Sequence, residues 1–240
     1  MRITEKVKKT IRYVNGFGCV VVEQVAKAND VGYRNGARHV QAMCGAGLLK
    51  RAKLSISTLS PIICTPLGCK IAGDSLRPLR GIRVGELQHD LRLVDVARGL
   101  VRELGGEFEP ARRVHQRLAE LGLDHTPDGI LHRPNMPPTL VELELSLKSP
   151  ARLKKIITGY GTNLLIESVL YLVEDPAIGR AVKEAARDYP HIKIASIVSK
   201  VASKTEAKPG SVKRTSAGLD HAKFGRVSKK ATADKSGGKS

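Results

Sequence analysis

The sequence predicts a mixed α/β (α+β) protein in three parts: a winged helix-turn-helix domain in residues 1–75, an α/β domain in residues 76–198 and a disordered basic tail in residues 199–240. Three observations lead to this prediction. Near the N-terminus, two helical patterns separated by a polar break precede a strand-like alternation. In the middle of the chain, apolar strand patterns alternate with helical patterns. The final part is rich in Ser, Lys, Ala, Gly and Thr and holds too few apolar residues to fold alone.

The helix-turn-helix prediction comes from the order of elements near the N-terminus. Residues 20–28 have a helical pattern, and a second helix begins near Gly32 after the polar break. The alternation of residues 51–57 then predicts a strand of the wing. A short closing helix follows, because Thr65 is a good N-cap and Pro66 suits the first helical position.

Positive charge is concentrated at the two ends of the chain. There are 41 Lys and Arg against 23 Asp and Glu, a net charge of +18. Residues 1–75 carry 12 basic and 4 acidic side chains and residues 199–240 carry 11 and 3, whereas residues 76–198 carry 18 and 16. Such an excess indicates a polyanionic partner. Because only 3 Phe and 5 Tyr are available for stacking on bases, double-stranded DNA fits better than single strands.

The second predicted helix carries the candidates for reading DNA. Ala37, Val40 and Cys44 recur at helical spacing and should face the core. Arg can fork onto guanine, and Asn or Gln onto adenine, although any solvated helix face also carries such residues. The candidates for contacts with bases and phosphates are Arg34, Asn35, Arg38 and Gln41 on the opposite helix face, followed by Lys50, Arg51 and Lys53.

The clearest strand of the chain spans residues 139–147. Its alternation places the apolar residues on one face and Glu142 and Glu144 on the other. Two neighbouring carboxylates on a strand built to be buried are costly unless a cation or basic groups compensate them, which suggests a metal. The alternative is a solvated strand face on which the glutamates pair with Arg152 or Lys155.

A third carboxylate precedes this strand. Residues 126–131 form a short strand pattern, and the Pro-rich turn of residues 132–138 returns the chain antiparallel. A hairpin of this kind can put Asp128 beside Glu142. An Asp and two Glu suit Mg²⁺, which often takes phosphate oxygens from its substrate as further ligands, and Lys148 would stabilise charge or position a water.

These residues resemble the plasmid replication-relaxation family. The resemblance rests on Asp128 and on residues 141–152, and residues 88–91 and 159–160 also suit the family. It covers roughly residues 10–190. That family is similar to the MobC-type relaxases of the mobilisation proteins, in which a winged helix precedes a nuclease domain of the PD-(D/E)xK, or restriction-endonuclease-like, type.

The resemblance implies a restriction-endonuclease-like mixed-sheet domain in residues 76–198 and a catalytic site within it. It implies that a divalent metal, Mg²⁺ or Mn²⁺, is bound by three carboxylates and that a lysine assists. A tyrosine of the family would be structural or nucleophilic. The implied residues are Asp128, Glu142 and Glu144 for the metal, Lys148 as the assisting lysine, His89 and Asp90 from the first helix of the domain, and Tyr160 as the tyrosine.

The sequence departs from the nuclease pattern at two positions. Glu144 stands where the pattern most often has lysine, so Lys148 would have to reach in from farther along the chain. Asp90 stands where we expect the family to prefer glutamate. A plain structural interpretation of His89 and Asp90, as surface neighbours of an apolar helical stripe, stays open.

The sequence therefore predicts a DNA-binding protein that acts in plasmid replication, relaxation or mobilisation. The first hypothesis is a metal-dependent DNA endonuclease of the nickase or relaxase-like kind. The second is a noncatalytic DNA-binding regulator of plasmid replication or transfer with an inactive nuclease-like domain, and a homodimer is compatible with both. Because the N-terminus lacks a signal-like apolar stretch and no apolar run approaches the ~20 residues that span a bilayer, we expect a cytoplasmic protein without a membrane partner. The basic tail is expected to add salt-sensitive, nonspecific affinity for DNA.

Overall fold

The computed structural model describes residues 1–54, 59–115, 122–198 and 223–224. Within these ranges the fold is mixed α/β, as the sequence predicts, with helices on a two-stranded and a larger mixed sheet. The helices are α1 (Glu5–Phe17), α2 (Val22–Ala28), α3 (Tyr33–Gly45), α4 (Pro66–Ala72), α5 (Val84–Leu104), α6 (Ala111–Val114), α7 (Pro150–Gly161) and α8 (Pro176–Ala185). The strands are β1 (Leu49–Arg51), β2 (Ile62–Cys64), β3 (Glu107–Pro110), β4 (Gly129–His132), β5 (Thr139–Glu144), β6 (Val169–Val173), β7 (Ile192–Val198) and β8 (Lys223–Phe224).

The N-terminal half packs helices and a hairpin around one apolar core. Helices α2 and α3 approach closely at Gly36, where an added Cβ would lie 2.5 Å from the Cβ of Ala26. Glycine is therefore required at this crossing. β1 follows α3 directly and pairs antiparallel with β2. Ile11 of α1, Val40 of α3 and Ile62 of β2 are fully buried in the core that these elements share.

The short helix α4 closes the N-terminal half. The hydroxyl of Thr65 accepts a hydrogen bond from the Gly68 amide at 3.0 Å, and Pro66 opens the helix. The same hydroxyl lies 2.6 Å from the carbonyl oxygen of Gly47, to which it donates. This cap confirms the predicted closing helix and ties it to the turn between α3 and β1.

The larger sheet has the strand order β3-β4-β5-β6-β7-β8. β3, β4 and β5 are antiparallel neighbours, whereas β5, β6 and β7 run parallel. Parallel neighbours need a crossover, which α7 supplies between β5 and β6 and α8 between β6 and β7. β5 lies between β4 and β6, and all of its residues are buried.

Helix α5, 21 residues long, joins the two halves. Val94 packs into the N-terminal core, and Leu100 packs into a second core beneath the larger sheet. The side-chain amide of Gln24 in α2 donates to the carbonyl oxygen of Leu91 at 2.7 Å. The domain boundary predicted at residue 75 falls in the segment before α5. No helix among the described residues combines the length and apolar character needed to cross a membrane.

The observed elements differ from the predicted ones at several places. β4 begins at Gly129 and β5 ends at Glu144, whereas the sequence predicts strands over residues 126–131 and 139–147. The first helix of the predicted helix-turn-helix begins at Val22, because Val20 forms a bridge with Ile62 instead. β1 ends at Arg51, so residues 52–54 of the predicted wing strand are not part of it, and residues 55–57 of that strand lie outside the described residues. The tail of residues 199–240 also lies outside them, apart from β8. β8 pairs with β7, whose edge offers free backbone groups, so residues 223–224 depart from the expected disorder.

Candidate active site

A cleft of about 850 Å³ lies between β5, the start of α5 and the segment that precedes α5. Six of the seven predicted catalytic residues line it, and Tyr160 is buried outside its lining. The cleft therefore collects side chains from both halves of the chain. The ionisable residues that line it are Arg83, Glu86, His89, Asp90, Arg112, His125, Asp128, Glu142, Glu144, Lys148, Arg152 and Glu174.

Both glutamates of β5 are buried. Glu142 is 3% exposed and Glu144 is 4% exposed, because Tyr160, His125 and Lys148 lie against their carboxylates. The alternative of a solvated strand face paired with Arg152 or Lys155 is therefore wrong. Lys155 lies 3.6 Å from Asp124 instead. Buried carboxylates of this kind need partners close by.

Glu142 has two such partners. The hydroxyl of Tyr160 donates a hydrogen bond to Oε1 of Glu142. Nε2 of His125 lies 3.1 Å from the same oxygen. Burial raises the pKa of Glu142, while the contacts with His125 and Tyr160 act in the opposite direction, and Glu142 in turn raises the pKa of His125. The arrangement holds Oε1 of Glu142 in a defined position.

Tyr160 is completely buried. Burial and the charge of Glu142 raise the pKa of its hydroxyl far above the ordinary value for tyrosine. Of the two roles that the resemblance leaves open, this environment favours the structural one, because a nucleophile has to reach the substrate and give up its proton.

Glu144 is paired with Lys148. The ammonium group contacts Oε2 of Glu144 from four residues farther along the chain. Only Ser149 separates Lys148 from α7, and the hydroxyl of Ser149 accepts from the Arg152 amide at 3.4 Å, so the chain turns immediately after Lys148. Lys148 thus lines the cleft from a position four residues after Glu144. The nuclease pattern most often has its lysine at the position of Glu144.

The predicted hairpin brings Asp128 beside β5. The strands β4 and β5 are antiparallel, and the Leu143 amide donates to Oδ2 of Asp128 at 2.7 Å. Nε2 of His89 lies 3.3 Å from Oδ2 of Asp128 and 3.0 Å from the carbonyl oxygen of Leu143. Asp128 and Asp90 raise the pKa of His89 to about 10. The interpretation of His89 as a surface neighbour is therefore wrong, since its ring joins α5 to the hairpin.

Asp128 and Glu142 are the carboxylates of the cleft that could be ligands of a magnesium ion that keeps several waters. Among the described residues, no three His, Cys, Asp or Glu side chains stand close enough together to hold a metal by themselves, and this includes Asp128, Glu142 and Glu144, which the sequence predicts as joint metal ligands. The contacts above use Oδ2 of Asp128 and Oε1 of Glu142, and the charge of Asp128 contributes to the raised pKa of Glu142. Mg²⁺ is commonly held by one or two protein carboxylates together with water and phosphate oxygens.

The predicted DNA-contacting residues lie on a different surface from the cleft. Arg34, Asn35, Arg38 and Gln41 are exposed on α3, whereas Val40 and Met43 on the other side of the helix are buried. The guanidinium of Arg38 donates to the side chain of Asn35. Among the residues after α3, exposed side chains occur at Lys50, Arg51 and Lys53.

Two functional candidates are absent from the sequence prediction. His125 stands three residues before Asp128 and contacts Glu142, but a lone His at that spacing is not a recognised motif. Arg112 lines the cleft and donates to the carbonyl oxygen of Asn15. The only feature of the sequence that pointed to His125 was its proximity to Asp128. No feature of the sequence pointed to Arg112, because the residues that Arg112 contacts are far away in the sequence.

Comparisons with known proteins do not assign the chain to a family. No family model matches it, and neither does any curated protein or solved structure. The functional conclusion therefore depends on the chemistry of the cleft and of the exposed face of α3.

Proposed function

We propose that the protein is a metal-dependent DNA endonuclease, of the nickase or relaxase-like kind, that acts in plasmid replication or mobilisation. One observation carries the proposal: Asp128, Glu142 and Lys148 meet in one cleft on a hairpin and a buried strand. These are the residue types that position a divalent cation and a scissile phosphate. The proposal that the DNA is a plasmid rests on the sequence resemblance alone.

The charge of the cleft supports the need for a cation. Six carboxylates and four Lys or Arg side chains line it. A phosphate group entering this cleft would be repelled by the carboxylates at its floor unless a cation lay between them. Mg²⁺ or Mn²⁺ held by Asp128 and Glu142 would neutralise phosphate charge and make water more nucleophilic.

The residues around the carboxylates have separate roles in this proposal. Tyr160 and His125 orient Glu142 through its Oε1 atom. His89 holds Asp128 against the backbone of Leu143. Lys148 offsets the charge of Glu144 and presents an ammonium group at the cleft, where it can attract the phosphate or orient a water.

The N-terminal half would choose the DNA site. α2, α3 and the β1-β2 hairpin follow one another in the order of a winged helix, and α3 exposes Arg34, Arg38 and Gln41 together. An exposed helix face of this composition suits the major groove. The excess of 12 basic over 4 acidic residues in positions 1–75 adds affinity for phosphates.

A second candidate function is a noncatalytic DNA-binding regulator of plasmid replication or transfer. The observation that favours it is the contact between Lys148 and Glu144. A glutamate occupies the usual position of the catalytic lysine, and the lysine nearby is already engaged. In that case the carboxylates would have a structural role, and DNA binding would depend on α3 and the other basic residues without cleavage in the cleft.

Conversion of supercoiled plasmid to open-circular or linear DNA separates the two functions. The wild-type chain would be compared with Glu142→Gln/Glu144→Gln and with a Glu107→Gln control, which alters an exposed carboxylate on β3. Endonuclease activity predicts nicking with Mg²⁺ or Mn²⁺ that EDTA and the double variant abolish, whereas DNA binding and the control are unaffected. Binding without any nicking in either metal would instead establish the regulator.

A further inference from the structure

The segment of residues 76–83, which leads into α5, has a repeat of three residues. Leu76, Leu79 and Ile82 are buried or half-buried. Each is followed directly by an arginine that is exposed: Arg77, Arg80 and Arg83. We call residues 76–83 the arginine segment. Its repeat directs one row of side chains to the protein and one row of guanidinium groups to solvent.

The apolar row packs the segment against residues from both halves of the chain. Leu79 and Ile82 pack against a small core formed by Cys19, Ile63 and Leu87. Leu76 is 6% exposed. Because both halves contribute to these contacts, the arginines are displayed from a supported surface and not from a free linker.

Polar contacts hold the backbone of the segment as well. The side-chain amide of Asn15 donates to the carbonyl oxygen of Leu76 at 2.9 Å. The guanidinium of Arg112 donates to the carbonyl oxygen of Arg77 at 2.7 Å. Just before the segment, Arg113 pairs at 3.0 Å with Asp74, whose side chain is 1% exposed. Supported cations lose less conformational freedom on binding a ligand than cations on a free chain do.

The arginine segment borders the candidate active site. Leu79, Ile82 and Arg83 line the cleft that also contains Asp128 and Glu142. The side chain of Arg83 is 82% exposed and pairs with Glu86 at 3.1 Å. The segment thus places positive charge at the rim of a cleft whose floor is acidic. A polyanion would be attracted to the rim and held there.

We propose that the arginine segment binds the phosphates of one strand of duplex DNA and guides that strand to the carboxylate cleft. The inference rests on the proposed DNA binding and adds a contact surface to that of α3. It assigns Arg77, Arg80 and Arg83 to the sugar-phosphate backbone, which receives roughly half to two-thirds of all protein–DNA hydrogen bonds. Arg112 is a positioning residue that supports the segment through the Arg77 carbonyl.

The test measures the salt dependence of DNA binding in EDTA, with Glu142→Gln in the background so that cleavage cannot interfere. The variant Arg77→Ala/Arg80→Ala/Arg83→Ala is compared with Arg180→Ala/Lys183→Ala/Arg187→Ala, which removes the same charge from exposed positions around α8. Each lost phosphate contact lowers the slope of log affinity against log salt by about 0.9. We expect the slope of the segment variant to fall by about 2 to 3, and that of the matched control by less than 1.

The outcomes separate this inference from the endonuclease proposal. Equal slopes for the two triple variants, with melting temperatures like that of the parent chain, would overturn it. The inference would also be overturned if the protein bound an RNA duplex more tightly than DNA and if the segment variant bound DNA as tightly as the parent chain. A wild-type chain that binds DNA with the expected slopes but never nicks plasmid leaves the arginine segment supported and refutes only the endonuclease.

Discussion

Lys148 contacts the carboxylate of Glu144 across the end of β5, from four residues farther along the chain. In the proposed endonuclease, this pair would take the place of a lysine at position 144. The positive charge in the cleft then comes from Lys148, four residues farther along the chain than position 144. In the proposed endonuclease, Lys148 has to attract the phosphate or orient a water while it contacts Glu144.

Removing Lys148 should destabilise the fold. Lys148→Met would leave Glu144, which is 4% exposed, without its counter-charge, and we expect a loss of about 1–3 kcal/mol in the free energy of unfolding. Glu144→Gln/Lys148→Met should recover most of that loss, because no charge remains buried. Urea unfolding of both variants at pH 7 measures this. A single variant as stable as the wild type would show that the contact contributes nothing.

Replacing Tyr160 separates orientation from nucleophilic attack. Tyr160→Phe removes the hydrogen bond to Glu142 but keeps the buried ring. We expect plasmid nicking to fall about tenfold or less, since His125 still contacts the same oxygen of Glu142. No DNA should become covalently attached to the wild-type chain. Complete loss of nicking in a folded variant, together with a covalent adduct in the wild type, would contradict the orienting role.

The exposed face of α3 should carry sequence-specific DNA binding. Arg34→Ala/Arg38→Ala should weaken binding of the preferred site at least tenfold, because each lost base contact costs about 1–3 kcal/mol. The melting temperature should hardly change, since both side chains are exposed. Arg180→Ala/Lys183→Ala, with the same change in charge, is the control for fluorescence anisotropy. If both pairs weaken binding equally, α3 does not read bases.

The crossing of α2 and α3 should not accept a methyl group. Gly36→Ala would bring a Cβ within 2.5 Å of the Ala26 Cβ and 2.9 Å of its Cα, and we expect a loss of about 1–3 kcal/mol in stability. Gly45→Ala, at the end of the same helix, meets no atom within 4 Å and is the matched control. Thermal melting should therefore rank Gly36→Ala well below Gly45→Ala, and the opposite order would refute the close crossing.

The ion pair of His89 should make stability fall as pH rises. The folded pKa of about 10 lies above the ordinary value of 6.5, so protonated His89 stabilises the fold. This contribution is complete below about pH 6.5, declines as pH rises and is lost above about pH 10. Urea unfolding in EDTA from pH 6 to 10 should show the decline in wild type and a flatter profile in His89→Ala. A His132→Ala variant, which alters a histidine outside the cleft, should keep the wild-type slope.

Local elements of this protein could be predicted from the sequence because their signals act over a few residues. The cap of α4 by Thr65 and of α7 by Ser149 follows from hydroxyl residues placed before prolines. The hairpin that brings Asp128 to β5 follows from two strand patterns and a Pro-rich turn. The exposed face of α3 follows from helical periodicity. Each depends on interactions between near neighbours in the chain.

Only the tertiary structure decided how the cleft is completed. The sequence by itself determined a mixed α/β protein with three candidate carboxylates, but burial of Glu142 depends on Tyr160 and His125, which lie against its carboxylate. Its contact with His125 and the contact of Asp128 with His89 join residues that no local pattern relates. The arginine segment likewise acquires its position from Asn15 and Arg112. Burial and ion pairing are set by which distant segments meet, and periodicity and capping carry no information on that.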